Sequence, residues 1–176
     1  MTNSNSRRVV ITGFGTVSAL GHDWESVRTS LKNCSNAVVA MPDWDLYKDM
    51  KTRLAAPVSG FVLPSDYRAR ERKSMGRVAQ MGVVATERAL THAGLLGDPV
   101  LGGGRCGISY GSAAGSSSAG AEFFALLKDH SIGQLNTTTY TRLMSHTAPV
   151  NISIKFGITG RMYTTTSACT AGSQGI

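Results

Sequence analysis

The chain has 176 residues, of which 41% are hydrophobic, and this is enough to bury one ordinary core. Only 16% of the residues are charged, which is low for a free-standing soluble domain, so we expect part of its surface to be covered by more protein. The net charge of +7 suits nucleic acid, a membrane surface or an acidic protein partner, and the positions of the basic residues must separate these.

The cysteines and the first residues exclude several classes of protein. Cys34, Cys106 and Cys169 show no Cys-x-x-Cys spacing, so neither a zinc site nor a disulfide framework is indicated, and we expect no metal. The polar start is followed by an apolar run that is too short for a secretion signal or a membrane helix. We therefore expect a cytoplasmic protein with no membrane span.

The first predicted elements are a strand and a helix. The run Arg-Arg-Val-Val-Ile-Thr-Gly at 7–13 is apolar, β-branched and ends in glycine, which predicts a buried strand of an α/β sheet. A helix is predicted over Trp24–Leu31, because Asp23 is a suitable N-cap and Glu25 lies in the first turn. One strand–helix unit is therefore complete before residue 33.

An irregular segment and a long helix are predicted next. Residues 33–74 have mixed polarity and prolines, which indicate irregular structure with a short strand near Leu54–Val58. A long helix is predicted over Met75–Gly94, where Gly94 is a suitable C-cap. One narrow face of this helix carries small or apolar residues at three- and four-residue steps: Val78, Met81, Gly82, Ala85, Ala89 and Ala93.

The middle of the chain is predicted to form a strand, a turn and a helix. Residues 105–111 have the pattern of a second strand. The Gly/Ala/Ser-rich residues 111–120 predict a turn whose small side chains allow another segment to approach the backbone closely. A helix is predicted over Ala121–Lys128.

The last elements repeat the alternation. We predict a helix over Ala148–Phe156, a third strand over Arg161–Thr166 and a sharp strand-to-helix turn over Ser167–Gly172. Alternating strands and helices predict an α/β fold with a mixed or parallel sheet. The final Gly-Ser-Gln-Gly-Ile has the pattern of the first turns of a helix, so we expect this chain to be part of a longer protein.

Cys169 follows the third predicted strand and precedes a predicted helix. Unpaired backbone N–H groups and the positive end of a helix dipole stabilise a thiolate at such a position. The neighbouring residues Ala168, Ala171 and Gly172 leave room for an acyl group, and the Cys169 N–H can donate to a developing oxyanion. These features predict a nucleophile.

Four motifs, in order, carry a resemblance to a known family. They are Arg-Arg-Val-Val-Ile-Thr-Gly-Phe-Gly-Thr-Val-Ser-Ala-Leu-Gly at 7–21, Arg-Glu-Arg-Lys-Ser-Met-Gly-Arg at 70–77, Tyr-Gly-Ser-Ala-Ala-Gly at 110–115, and Phe-Gly-Ile-Thr-Gly through Ser-Ala-Cys-Thr-Ala-Gly at 156–172. Together they resemble the β-ketoacyl-acyl-carrier-protein synthases, specifically the elongating type related to synthases I and II, over essentially the whole chain.

The resemblance implies a thiolase-like α/β fold, in which two similar halves form five αβαβα layers. Residues 1–176 would then be an N-terminal β-ketoacyl synthase domain without the C-terminal half. The implied activity is acyl transfer from an acyl carrier protein to Cys169, followed by decarboxylative Claisen condensation with malonyl-carrier protein in fatty-acid or polyketide elongation. The chain itself needs no cofactor, because the carrier protein brings the phosphopantetheine.

Other catalytic groups of the family have no position in this chain. The resemblance places two histidines, a lysine and a second oxyanion-hole N–H in the C-terminal half. We expect His22, His92, His130 and His146 to have structural or surface roles, because the presence of a histidine does not by itself mark a site. The 176 residues alone are therefore not expected to condense.

Two positions suggest an unusual acyl substrate. Ala114 matches the family position that gates the acyl pocket, and His146 stands where the family usually has asparagine, near the acyl tunnel and the dimer interface. A smaller gate would admit longer or stiffer acyl chains, as in a specialised polyketide or aryl-polyene-like system. Simple packing of a turn at Ala114 and drift in dimer packing at His146 are the alternatives.

Arg70 and Lys73 match positions at which the family presents basic residues to the acidic carrier protein. Arg68, Arg72 and Arg77 add to the same predicted basic patch, whose alternative role is that of an ordinary solvated helix start. No interleaved aromatic residues accompany the patch, which argues against nucleic acid. The family works as dimers; a homodimer is expected, and a heterodimer with a cysteine-lacking chain-length partner is the other arrangement.

Three further readings stay open at the level of sequence. A thiolase also has a cysteine at a strand-to-helix turn, but in that family the cysteine comes much earlier. A non-catalytic interaction module would have an inert Cys169, and a cysteine hydrolase would need a paired histidine that sequence cannot locate. Cys34 and Cys106 are expected to be structural.

Overall fold

A computed structural model describes residues 8–133 and 135–176 of the chain. Arg7, the first residue of the first motif, lies outside the described residues. The described helices and strands, in chain order, are α1 (Trp24–Lys32), β1 (Val39–Ala40), β2 (Leu54–Ala55), α2 (Ala69–Ser74), α3 (Arg77–His92), β3 (Ile108–Gly111), α4 (Ser117–Asp129), α5 (Thr137–Leu143), α6 (Thr147–Phe156), β4 (Met162–Thr165) and α7 (Ala171–Gln174). Single 3₁₀ turns lie at Pro42–Leu46, Pro99–Gly102 and Ala168–Thr170.

The predicted N-cap of α1 is confirmed. The Asp23 carboxylate accepts from the backbone N–H of Ser26 at 2.9 Å and from the Ser26 hydroxyl at 2.7 Å. These hydrogen bonds lower the pKa of Asp23, the side-chain hydrogen bond most strongly. The carboxylate therefore satisfies one of the N–H groups that every helix start leaves unpaired.

The long predicted helix is confirmed as α3, and Gly94 ends it. The Gly94 N–H donates to the Thr91 carbonyl at 3.1 Å and the Leu95 N–H donates to the Leu90 carbonyl at 2.8 Å, which is the Schellman pattern. This turn needs a left-handed residue, and Gly94 has φ +70°. Glycine adopts that conformation without the steric cost that a Cβ would bring.

The small-residue face of α3 packs against the segment that precedes α1. A Cβ placed on Gly13 would lie 2.5 Å from the Ala89 carbonyl oxygen and 2.9 Å from the Ala93 Cβ, and one on Gly15 would overlap the Ala85 carbonyl. The glycines and the alanines together therefore allow backbone to lie directly on helix.

The strand predicted at 7–13 is wrong for the described part of the run, because residues 8–17 form no strand. A strand needs a neighbour for its backbone hydrogen bonds, and no segment that the structure describes pairs with this one. Val9 is 96% exposed and Ile11 is 90% exposed, so the run is not buried either. The β-branched residues of this run favour a strand, but the run has no partner strand among the described residues.

Two pairs of strands are present among the described residues. β1 and β2 pair antiparallel within the irregular segment, with Val39 opposite Ala55, so the short strand predicted there is confirmed. β3 and β4 pair parallel from Ile108 opposite Met162 to Gly111 opposite Thr165, which agrees with the predicted parallel arrangement.

The helices between β3 and β4 differ from the prediction at two points. α4 begins at Ser117, four residues before the predicted start, because Ser117–Gly120 continue the helix despite their small side chains. α5 was not predicted. Its N-cap is Asn136, whose side-chain oxygen accepts from the N–H groups of Thr138 and Thr139 at 2.9 and 3.1 Å.

The core lies where α3 crosses α6. Ten buried side chains form one cluster: Phe61, Tyr67, Met75, Ala79, Val83, Val84, Leu101, Ala148, Ile152 and Ile158. Val83 has no exposed surface. Burial of such side chains is the main favourable term in folding, so α3 and α6 form the frame on which the other elements are positioned.

The surface is large for the length of the chain. The chain exposes 12548 Å², whereas a compact monomer of the same mass is expected to expose about 8,200 Å². Large apolar side chains such as Leu46 and Val62 are among those exposed. This agrees with the expectation from composition that more protein covers part of the surface.

Candidate active site

Cys169 lies between β4 and α7, so the strand-to-helix turn predicted around it is confirmed. β4 ends at Thr165, the 3₁₀ turn spans Ala168–Thr170, and α7 begins at Ala171. The Cys169 side chain is exposed and its thiol is free. A free, accessible thiol is the first requirement for a nucleophile at this position.

The residue before the cysteine has an unusual backbone. Ala168 has φ +51°, in the left-handed region that residues with a Cβ seldom adopt. This conformation costs roughly 1–3 kcal/mol and persists only where the surroundings enforce it. The turn therefore holds Cys169 at the expense of local strain.

Side chains on both sides of Cys169 support the turn. The Thr165 hydroxyl donates to the Ala171 carbonyl at 2.7 Å, and the Ser167 hydroxyl donates to the Gln174 side-chain oxygen at 2.5 Å. The Thr170 hydroxyl donates to the Ser167 carbonyl at 2.9 Å. These supporting residues were not predicted from the sequence. The run of hydroxyl side chains before Cys169 could have indicated them.

The close approach of another segment, predicted for the Gly/Ala/Ser-rich residues 111–120, occurs at Gly111 and Gly115. A Cβ on Gly111, at the end of β3, would overlap the carbonyl of Ala171, the buried first residue of α7. A Cβ on Gly115 would overlap the carbonyl of Arg142 at the end of α5. The close approach is therefore observed, and at Gly111 it is α7 that approaches.

The backbone N–H of Cys169 is available as a donor. No carbonyl or side chain in the part of the chain that the structure describes accepts from it. An N–H beside an exposed thiol can donate to an oxygen that gains negative charge when the thiol attacks a carbonyl. The geometry is compatible with the predicted half of an oxyanion hole.

The four histidines occupy separate places. The His22 ring packs edge-on against a phenylalanine ring with 5.9 Å between centroids, and His92 Nδ1 accepts from a backbone N–H at 3.3 Å. His130 ends α4 in a left-handed conformation, and His146 is the exposed residue before α6. These positions agree with structural or surface roles.

Ala114 and His146 are both exposed. Ala114 lies in the turn between β3 and α4, where its carbonyl accepts from the Ser112 hydroxyl at 2.7 Å. Their neighbours Gly115 and Ser145 line one seam where α3, α5 and α6 meet. The two predicted pocket residues thus lie beside the same seam.

Arg70 and Lys73 lie on α2, and both side chains are exposed. Neither makes a hydrogen bond or an ion pair with another residue that the structure describes. Two cations without partners, one turn apart on the same helix, are available to an acidic partner.

Two other arginines of the predicted patch are occupied within the protein. The Arg72 guanidinium donates to the carbonyls of Tyr67 and Ser65, each at 2.8 Å. The Arg77 guanidinium donates to the Val58 carbonyl at 2.7 Å and lies 5.6 Å from the centroid of a phenylalanine ring. Their donors fix the preceding loop, while both residues are exposed and keep their positive charge at this surface.

The described residues show neither a metal-binding cluster nor a membrane-spanning helix. Over 8–133 and 135–176 there is no cluster of three or more histidine, cysteine or acidic side chains placed to hold a metal ion. No helix in the same ranges combines the length and the hydropathy needed to cross a membrane.

Comparison with known proteins gives consistent results. Residues 6–176 match the family described as "Beta-ketoacyl synthase, N-terminal domain". A 3-oxoacyl-[acyl-carrier-protein] synthase 1 from Haemophilus influenzae is 28% identical over 167 residues, which cover 93% of this chain and 40% of that protein. This chain therefore spans about two fifths of the length of the curated relatives it matches.

Solved structures agree with this relationship. A β-ketoacyl synthase from Burkholderia phymatum is similar with a TM-score of 0.89 and 43% identity, over 96% of this chain and 41% of that one. A ketosynthase solved with a type II polyketide acyl-carrier protein is similar in fold, with a TM-score of 0.76 and 22% identity over 97% of this chain and 44% of that one. The predicted α/β, thiolase-like fold is confirmed. With its residues 6–176 matched throughout, the chain belongs to the β-ketoacyl synthase family and carries its N-terminal domain.

Proposed function

We propose that this chain is the acyl-accepting half of a β-ketoacyl-[acyl-carrier-protein] synthase, an acyltransferase of fatty-acid or polyketide elongation. The observation that carries the proposal is the exposed, free Cys169 in a strained strand-to-helix turn. Its position within a domain that matches the family from residue 6 to residue 176 supports the same conclusion.

The first step is covalent acyl transfer to Cys169. The thiolate attacks the carbonyl carbon of an acyl thioester on the carrier protein, a new carbon–sulfur bond forms, and the carrier leaves as its phosphopantetheine thiolate. The Cys169 N–H donates to the oxyanion of the tetrahedral intermediate. The small neighbours Ala168 and Gly172 leave space for the acyl chain at the sulfur.

The second step is carbon–carbon bond formation. Malonyl-carrier protein loses carbon dioxide, the resulting carbanion attacks the Cys169 thioester, and the thiolate leaves as the β-ketoacyl product forms. The resemblance places the groups that assist decarboxylation beyond this chain, so what this chain supplies is the nucleophile, its N–H donor and the approach of the carrier.

We propose Arg70 and Lys73 as the residues that bind the acidic acyl carrier protein. Their exposure and their lack of partners among the described residues support this role, and charge complementarity accelerates encounter and sets orientation. A relative in fold that was solved with its acyl-carrier protein makes the class of partner plausible.

We propose Ala114 and His146 as residues beside the acyl pocket, with a small gate at Ala114. The resemblance supports this assignment, and their neighbours Gly115 and Ser145 line one closely packed seam of the fold. Ala114→Ile in the full-length synthase should shift the preference toward shorter acyl chains, measured by competition between acyl-carrier substrates of different length. An unchanged preference would remove the assignment.

We further propose that the protein works as a dimer in the cytoplasm. Exposed apolar side chains on α4 and α5, among them Phe124, Leu127 and Tyr140, are suited to a subunit interface. Three free thiols suit a reducing compartment. Sedimentation of the full-length protein as a monomer at micromolar concentration would contradict the dimer.

The decisive experiment is acylation of the full-length protein by an acyl-carrier thioester, followed by mass spectrometry of the intact protein and its peptides. One acyl group per chain, on Cys169, is expected in the wild type and none in Cys169→Ala. Cys34→Ala is a matched control, because Cys34 is also an exposed, free thiol. Wild-type protein without acylated Cys169, or label at Cys34 instead, would overturn the proposal.

A further inference from the structure

α2 is a short helix that buries none of its own side chains. It has six residues, all of which the structure describes. The nearby residues Tyr67 and Met75 are buried in the core and anchor the segment on either side of the helix. A helix of this length is not stable by itself in water, so hydrogen bonds and ion pairs from other elements also contribute to the position of Arg70 and Lys73.

The first of these contacts comes from α6. Lys155 Nζ lies 3.1 Å from Glu71 Oε1, and the two side chains are only 23% and 27% exposed. The other carboxylate oxygen of Glu71 accepts from the Arg68 N–H at 2.6 Å, at the start of α2. The carboxylate thus joins the first turn of α2 to α6.

Lys155 is itself held over an aromatic ring. Its Nζ lies 4.0 Å from the centroid of the Tyr67 ring, a distance at which a cation is attracted to the ring face. Tyr67 is 2% exposed, and its hydroxyl donates to Glu87 on α3 at 2.5 Å. Lys155 is therefore fixed between a carboxylate and a buried ring, and α2, α3 and α6 meet at this point.

The last residue of α2 is tied to the same helix. The Ser74 hydroxyl donates to Asn151 Oδ1 at 2.7 Å, and Asn151 Nδ2 donates to the Thr147 carbonyl within α6 at 2.8 Å. Asn151 is buried. α6 therefore contacts α2 at both ends and, together with α5, which also packs against α2, contributes to where the outward-facing cations of α2 stand.

α6 also leads toward the nucleophile. It ends at Gly157, and β4 then leads to the turn that holds Cys169. A cavity of about 750 Å³ lies between α2 and α6 and is lined by Arg70, Glu71 and Lys155 among others.

We propose that Lys155 is a positioning residue for carrier-protein docking, which acts through Glu71 and Tyr67 to hold α2, and with it Arg70 and Lys73, in one place. This rests on the proposed function, in which Arg70 and Lys73 bind an acidic carrier. Lys155 itself is paired with Glu71, so it acts on the docking residues indirectly, by holding α2 in position.

The test compares two acyl donors with the full-length protein: an acyl-carrier protein and the same acyl group on N-acetylcysteamine. Lys155→Met should raise KM for the carrier-bound donor by about three- to five-fold, in line with the loss of one partly exposed ion pair. The carrier-free donor should react with unchanged kcat/KM, because it does not contact α2. Lys155→Arg keeps the cation and should behave like the wild type.

Glu71→Gln separates positioning from simple charge. Removal of this negative charge makes the surface more positive, so an effect of net charge alone would lower KM for the acidic carrier. Loss of the ion pair with Lys155 should raise KM instead. Thermal unfolding of each variant shows whether it is folded at the assay temperature.

Three outcomes would overturn the inference. They are an equal loss with both donors, a lower KM in Glu71→Gln, and a Lys155→Met enzyme with wild-type kinetics on both donors. Failure of the proposed function has a different signature: wild-type Cys169 would not be acylated, or the double reversal Arg70→Glu and Lys73→Glu would leave the carrier KM unchanged. Either result would remove the docking surface and with it the role of Lys155.

Discussion

Gly111 allows the backbones of β3 and α7 to meet beside the turn that holds Cys169. The end of β3 lies against the carbonyl of Ala171, the residue that begins α7, with no space for a side chain between them. Gly172 lies one residue further along α7, and a Cβ there would meet nothing within 4 Å. The two glycines lie on either side of Ala171 in space or sequence, and only Gly111 has no room for a side chain.

Gly111→Ala and Gly172→Ala should therefore have opposite effects. Gly111→Ala forces β3 and α7 apart and should destabilise the full-length protein by about 1–3 kcal/mol, as overpacking does, with slower acylation of Cys169. Gly172→Ala adds a methyl group in open space within a helix and should be neutral or stabilising by up to about 1 kcal/mol. Urea unfolding measures the stability of both variants, and the acylation rate is measured for Gly111→Ala; equal effects of the two variants on stability would contradict this account.

The sequence predicted Cys169 as the nucleophile but did not predict the geometry around it. Cys169 is visible because its motif is short and contiguous. The left-handed backbone of Ala168 and the contact between Gly111 and Ala171 depend on segments about 60 residues apart. The role of Lys155 was likewise invisible, because Tyr67 and Glu71 lie far from it in the chain.

Among the elements, those with local signals were predicted best. α1 and α3 have clear caps, so their existence followed from neighbouring residues. The run at 7–13 failed because a strand depends on a partner that its own residues do not specify. α4 was placed four residues late because Ser and Gly favour turns in general, while here packing overrides that preference.

The stability that α2 contributes should depend on acid pH. The pKa of Glu71 is lowered, chiefly by the hydrogen bond from the Arg68 N–H and then by that from Lys155. Because the pKa in the folded protein lies below the ordinary value of 4.5, the contribution is complete above about pH 4.5 and is lost as pH falls through the lower, folded pKa.

Urea unfolding of wild-type full-length protein and Glu71→Gln from pH 7 to pH 3 tests this expectation. The wild type should be the more stable of the two near neutral pH, and the difference between the two free energies of unfolding should stay constant down to about pH 4.5 and then shrink. A difference that is independent of pH across this range would show that the Glu71 charge does not stabilise α2.

At the scale of the whole molecule, the exposed apolar surface is the dominant feature. Val9, Ile11 and Leu46 are almost fully exposed, and the total surface exceeds that of a compact monomer by about half. The low charge content had predicted a covered surface, but composition could not say which residues it includes. The structure shows that the segment before α1 and the irregular segment around β1 and β2 carry part of this exposed apolar surface.

The 176-residue polypeptide produced by itself should therefore self-associate. We expect it to sediment as oligomers at micromolar concentration and to increase the fluorescence of an apolar dye several-fold over the full-length protein at equal molar concentration, since exposed apolar patches of this extent promote association. Ile11→Lys, on the most exposed run, should reduce both signals. A monomeric polypeptide with little dye binding would contradict the expectation.

The parallel pairing of β3 with β4 has a consequence for the order of folding. Ile108 pairs with Met162, so more than 50 residues, which include α4, α5 and α6, must be placed before the two strands can meet. Closing so long a connection is slow compared with forming the helices within it. The turn that carries Cys169 follows directly from β4, so during synthesis this turn acquires its strained backbone only after these helices have assembled, and a partly folded chain presents Cys169 without it.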